Sequence, residues 1–261
     1  MIVDVNANID RWPFRRTPCD RLPQLIQTYQ RHGVRQAWVG SLDGLFHRDV
    51  GGVNLRLIET CRQTDGPVQL VPFGTVNPQL PDWHEDLRRC AEEHRMPGIR
   101  LHPNYHGYQL DDPIFADLLD AAAANGLIVQ LAIRMDDIRV QHPLMRVADV
   151  DPGPLAGLVE ARPELRLVLL NALATVRGSA LQELAAVDRI WLEIAMRESV
   201  GGVAHLLTIV PTERVLFGSH LPLFPLESAV LKMREAGLDE QRRQAVEHAN
   251  ARRLLGDWQP A

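Results

Sequence analysis

The densest group of chemically capable side chains in this sequence is His102-Pro103-Asn104-Tyr105-His106. Two imidazoles four positions apart, with a phenol between them, titrate near neutrality and can exchange protons with a bound molecule. A third imidazole, His220, lies far along the chain. The remaining candidates are amides and charged groups at the ends of aliphatic runs: Asn6, Asn8, Arg100, Arg134, Asn171, Glu193 and Arg197. In a hydrolytic scheme His220 has the better claim as base, with His102 and His106 as further proton carriers. Arg134 or Arg100 and the amides of Asn6, Asn8 and Asn171 would then stabilise the oxyanion that develops. Arginines in a pocket hold carboxylate or phosphate through paired hydrogen bonds, so the expected ligand is small and anionic, with Tyr105, Glu193 and Arg197 completing the binding set. Against this stands a structural alternative in which the arginines pair with Asp4, Glu193 or Asp136, because ion-pair networks gather at such places too. His102, His106 and His220 together would also supply three nitrogen donors, enough for a catalytic zinc with an open position.

Side chains so distant in sequence meet only if strands deliver them to one face. Eight β-branched or aliphatic runs do recur between amphipathic stretches: residues 2–8, 34–41, 68–77, 98–104, 127–134, 165–171, 190–196 and 214–220. Strands alternating with helices specify a parallel sheet, and eight of them close a (β/α)8 TIM barrel of the α/β class, whose strand ends share one mouth. Asp112-Pro113 opens a helix that Gly126 ends, Pro163 interrupts the helix beginning near Pro154, and Gly237 separates two C-terminal helical stretches. The longest irregular stretch, Arg134 to Gly153, carries Asp136, Asp137, Arg139 and His142 and starts on the face where barrels keep their chemistry. No low-complexity tract or Gly/Ser linker divides the chain, so a single domain over residues 1–261 is expected.

Composition agrees with that architecture: 46% hydrophobic and 23% charged residues suffice for a full core. A net charge of -5, with Lys and Arg dispersed, argues against nucleic acid as a partner. The opening residues lack a basic segment followed by an apolar run, and no stretch reaches the ~18 apolar residues of a membrane span, so no membrane partner and a cytoplasmic location are expected. Cys19, Cys61 and Cys90 are odd in number and lack CxxC spacing, which fits reduced thiols.

Several segments together resemble the amidohydrolase-related family that includes aminocarboxymuconate-semialdehyde decarboxylase: VDVNANID near the start, GIRLHPNYHGYQLDDPIF, PELRLVLLNA, ERVLFGSHLP and the closing HANARRLLG. The resemblance spans nearly the whole chain and implies a metal-dependent barrel, often dimeric, that hydrolyses or decarboxylates small metabolites. It also implies a His-x-His pair on the first strand, a His after the fifth, often another after the sixth, and an Asp after the eighth. Here those positions hold Asn6 and Asn8, Ala132, Asn171 and His220. Neutral amides and an alanine are poor donors for zinc and its neighbours, so no metal ligands and no cofactor are expected, with zinc on the three histidines as the alternative. Arg134, two residues beyond Ala132 on the same side of the strand, would supply the charge instead. The expected activity is that of an amidohydrolase-like hydrolase or a decarboxylase; the alternative is a non-catalytic barrel that binds a small ligand or a partner protein.

Overall fold

Each aliphatic run forms a parallel strand in the computed structural model, which describes residues 1–260: β1 Ile2–Ile9, β2 Val34–Ser41, β3 Gln69–Thr75, β4 Gly98–Leu101, β5 Ile128–Ala132, β6 Arg166–Leu170, β7 Ile190–Glu193 and β8 Val215–Leu216. They pair in sequence order. Backbone bonds from Val5 N to Phe217 O (3.0 Å), His220 N to Asn6 O (2.7 Å) and Asn8 N to Leu221 O (2.7 Å) join the last strand to the first, giving the TIM barrel. Several strands are shorter than the runs that predict them, because their C-terminal residues leave the ladder to build the mouth.

Alternation sorts the side chains. Trp38 and Phe73 stack with ring centroids 5.0 Å apart in one buried cluster with Ile128, Ala132, Val168 and Leu170. The intervening Ile99, Leu101, Val129, Leu131, Leu167 and Leu169 pack instead with Phe115, Leu118, Leu119, Leu155 and Val159 of the surrounding helices. The seam between β1 and β8 is pinned by Asp4, a fully buried carboxylate that accepts from Asn6 N (3.0 Å), Ser219 N (3.0 Å), the Ser219 hydroxyl and the Tyr29 hydroxyl (2.8 Å). Burial raises its pKa, and these donors pull the other way.

After β4 come a short helix, Pro103–His106, and a longer one, Pro113–Ala124, which precedes Gly126, whose φ of 64° is the left-handed conformation glycine adopts without strain. Asp112 does not cap it as expected; its carboxylate accepts from Gln109 N (2.7 Å) in the preceding turn. The helix Leu155–Glu160 stops before Pro163, and Gly237 separates Leu226–Glu235 from the helical residues that begin at Glu240. Between β5 and Leu155 the chain has no helix or strand. No described helix is long and apolar enough to cross a membrane.

Candidate functional site

The barrel axis is occupied by a cation, and that cation is Arg100 on β4. Its guanidinium donates from Nε to Gln130 Oε1 (2.8 Å), from Nη1 to Ala7 O (2.6 Å) and Asn8 Oδ1 (2.8 Å), and from Nη2 to Trp38 O (3.1 Å). Four of its five N–H groups therefore tie β1, β2 and β5 to β4. A Cβ at Gly40 would lie 2.9 Å from Arg100 Cδ, so glycine is required there for the guanidinium to rest against β2. Burial lowers the Arg100 pKa to about 10, which leaves it charged at neutral pH. Expected to bind substrate, Arg100 here spends four hydrogen bonds on the barrel itself.

Beside it lies a second buried network. Asn6 Nδ2 donates to Asn171 Oδ1 (2.8 Å) and Glu193 Oε1 (3.1 Å). Glu193 also accepts from Asn171 N (2.6 Å) and Ala195 N, and burial raises its pKa. A Cβ at Gly218 would come within 2.3 Å of Glu193 Oε2, so that glycine leaves room for the carboxylate. Asn171 and His220, both with positive φ (58° and 61°), face each other across the mouth. The Asn171 amide donates to Arg134 O (2.8 Å) and to His220 Nδ1 (3.3 Å), while His220 Nε2 donates to Met135 O (2.7 Å). Both nitrogens of the expected base are therefore engaged. Asn6, Asn171 and Glu193 likewise answer one another rather than an open pocket.

Burial pushes the His220 pKa down to about 4 and holds His102 well below its ordinary 6.5. A base with a lowered folded pKa takes up protons on unfolding, so its contribution to stability is present above its unfolded pKa and lost as pH falls through the window below it. Thermal midpoints should fall between pH 6.5 and about pH 4. His220→Asn, which tolerates positive φ, should show a shallower decline; Asp4 and Glu193, raised by burial, act with the opposite sign in both proteins. Equal slopes in the two proteins would show that His220 does not titrate this way.

His102 differs from all of these. It follows β4, two residues after Arg100, and is only 1% exposed, yet neither ring nitrogen has a partner among the described residues. Asn8 Nδ2, His106 Nδ1 and Thr75 Oγ1 are similarly unpartnered. His106 Nε2 donates to Gly44 O (2.9 Å), and the two imidazoles stand edge to face with centroids 6.0 Å apart. Tyr105 N bonds back to His102 O (3.1 Å), and its ring joins Trp12 (6.3 Å) and Phe46 (5.8 Å) in an aromatic cluster carried by the loops after β1, β2 and β4. An unmatched buried polar atom costs about 1–3 kcal/mol, and these lie at the ends of β1 and β3 and just after β4.

The open part of the mouth lies opposite, above β5 to β8. A cleft of about 760 Å³ is lined by Arg15, Arg134, Asp136, Arg139, Arg177 and Phe224, among others. Arg134 pairs with Asp149 through two contacts (3.0 and 2.9 Å), Arg139 with Asp137 (2.8 Å) and Arg15 with Asp136 (3.4 Å). Arg177 has no ion-pair partner among the described residues, and its charge helps burial to lower the pKa of Arg197, whose Nε donates to Gly202 O (3.0 Å). Arg134 and His220 do not share this cavity, and the charge expected from Arg134 at the axis comes from Arg100. Sequence reasoning missed Gln130, Asp149 and Arg177. Gln130 was legible in principle, since it shares a strand face with Ile128 and Ala132.

No group of three His, Cys, Asp or Glu able to hold a metal occurs among the described residues, so zinc on His102, His106 and His220 is not supported. At the first-strand position Asn8 Oδ1 already accepts from a guanidinium and Asn6 donates to a carboxylate, a donor set that does not fit a divalent ion.

Comparison with known proteins places this geometry. No curated protein matches by sequence. Among solved structures, a 5-carboxyvanillate decarboxylase from Sphingomonas paucimobilis is similar at 16% identity, covering 97% of this chain and 98% of its own, with a TM-score of 0.75. A 2,6-dihydroxybenzoate decarboxylase complexed with 2,6-dihydroxybenzoate is similar at 15% identity, 98% and 99% coverage and a TM-score of 0.73. A 5-carboxyvanillate decarboxylase from Novosphingobium aromaticivorans with bound manganese gives 14%, 98% and 97%, and 0.75. That manganese overturns the expectation of no cofactor: this neighbour and a dihydroxybenzoic acid decarboxylase from Polaromonas sp. JS666 share the fold and are solved with manganese bound. The amidohydrolase family profile matches residues 43–256, and the chain belongs to that family.

Proposed function

We propose that this barrel is a carboxy-lyase for a small hydroxylated aromatic acid, with the reaction at the His102 side of the mouth and the arginine-lined cleft as its approach. The observation that carries the proposal is the pair of unpartnered nitrogens on a buried His102, together with an unpartnered Asn8 amide at the end of β1. A neutral imidazole offers one donor and one acceptor, the pattern a hydroxylated carboxylate answers. The aromatic cluster of Trp12, Phe46 and Tyr105 gives a planar ring a surface to lie against once it parts to admit one. As the bond between ring and carboxylate breaks, its electron pair stays on the ring carbon. Carbon dioxide leaves, His102 delivers its one N–H proton to that carbon while its other nitrogen takes the proton of the substrate's hydroxyl, and the phenolate so formed is protonated by solvent after release. Fold relatives that decarboxylate dihydroxybenzoate and carboxyvanillate support this substrate class. Hydrolysis fits less well, because it needs an activated water and His220 is hydrogen-bonded on both nitrogens.

That engaged His220, with amides at the family's metal positions, favours a second reading: a barrel that binds such acids without converting them. A panel of hydroxybenzoates, assayed with and without manganese for carbon dioxide release and by calorimetry for binding, separates the two. Release of carbon dioxide with the matching phenol is the expected outcome. Saturable binding without release supports the second reading, and neither binding nor release would end both.

A further inference from the structure

We propose a second ligand site at the opposite end of the barrel, for a small planar carboxylate that carries a hydroxyl or amino donor. A cavity of about 430 Å³ opens at the N-terminal ends of β6, β7 and β8, walled by Arg166, Trp191, Arg214 and Arg253, with Asn250 among its lining residues. None of these three arginines forms an ion pair among the described residues. Arg166 donates to the carbonyls of Leu254 (3.0 Å) and Gly126, and burial lowers its pKa. Arg214, only 8% exposed, donates to the carbonyls of Val187 and Ala185. Carbonyls satisfy hydrogen bonds but leave the positive charge uncompensated, and three such charges around one concavity favour an anion. Asp188 and Glu213 also line the cavity, yet neither is within ion-pair distance of a guanidinium, so the balance stays cationic.

Two further features narrow the ligand. Asn250 is 1% exposed; its Nδ2 donates to Thr212 O (2.7 Å) and Val215 O (2.9 Å), while its Oδ1 is buried without a protein partner. That oxygen asks for a donor. Trp191 is half-buried and supplies an aromatic wall against which a ring can stack. Carboxylate to the arginines, ring to Trp191 and a donor to Asn250 together describe an aminated or hydroxylated aromatic acid. The site is independent of the chemistry proposed at the mouth.

Tryptophan fluorescence of the full chain titrated with 4-hydroxybenzoate tests it. Saturable quenching is expected in the wild type and in His102→Leu, which alters only the mouth. In the His102→Leu background, which lacks the binding group of the mouth, adding Trp191→Phe should remove the quench, and adding Arg253→Ala, an exposed position that folding tolerates, should weaken binding about tenfold, the loss typical of a charge-assisted hydrogen bond. In that background, absence of saturable quenching, quenching that survives Trp191→Phe, or an affinity unchanged by Arg253→Ala would each overturn the proposal. Inorganic phosphate binding as tightly as 4-hydroxybenzoate would overturn the aromatic part.

Discussion

Replacing His102 with leucine should lower turnover of a hydroxybenzoate by about 100-fold or more while leaving the protein at least as stable as before. The two effects separate because the His102 side chain contributes nothing to the hydrogen bonding of the fold: both ring nitrogens are buried and unpartnered among the described residues. An apolar side chain of similar size removes that desolvation penalty, so the thermal midpoint should hold or rise by the few degrees that about 1 kcal/mol gives in a chain of this length. A purely structural histidine would behave otherwise, losing stability along with activity. Thermal denaturation and a carbon dioxide assay on the same preparation decide between these outcomes.

Arg100→Met should do the reverse. Arg100 lies two residues earlier on the same strand and is equally buried, but its removal strands the Asn8 and Gln130 side-chain oxygens and the carbonyls of Ala7 and Trp38. Breaking a buried charged network from one side costs about 3–5 kcal/mol, which should lower the thermal midpoint by roughly 10 °C or prevent folding. Ligand affinity measured on whatever folded fraction remains should change far less than stability. A variant of wild-type stability with lost binding would return Arg100 to the substrate-binding role that its residue type and strand position first suggest.

The contrast between these two neighbours shows what the sequence could carry. Alternation places Arg100 and His102 on one face, and the eight aliphatic runs place that face inside a barrel, because periodicity and strand order are local properties of the chain. Which polar group meets which depends on contacts across the barrel that no local pattern encodes. Arg134 looked like the axial charge, yet it turns outward to Asp149, a residue in the irregular stretch after β5. Gln130 was hidden inside an apparently aliphatic run, although it accepts from the buried guanidinium and donates to Val5 O (2.8 Å). His220 carried the expectation of a base on its residue type alone; the carbonyl of Met135 and the amide of Asn171 hold both its nitrogens. His102 had an ordinary structural reading in the sequence, and only coordinates show that none of the described residues bonds to its ring.

The sharpest test is a crystal structure of the protein with 2,6-dihydroxybenzoate. It should show the ring against Trp12, Phe46 and Tyr105, with oxygen atoms in hydrogen-bond contact with the His102 imidazole and Asn8 Nδ2. A ring seated elsewhere, with His102 bonded to ordered water alone, would mean that this corner of the mouth is packing and not the reaction site.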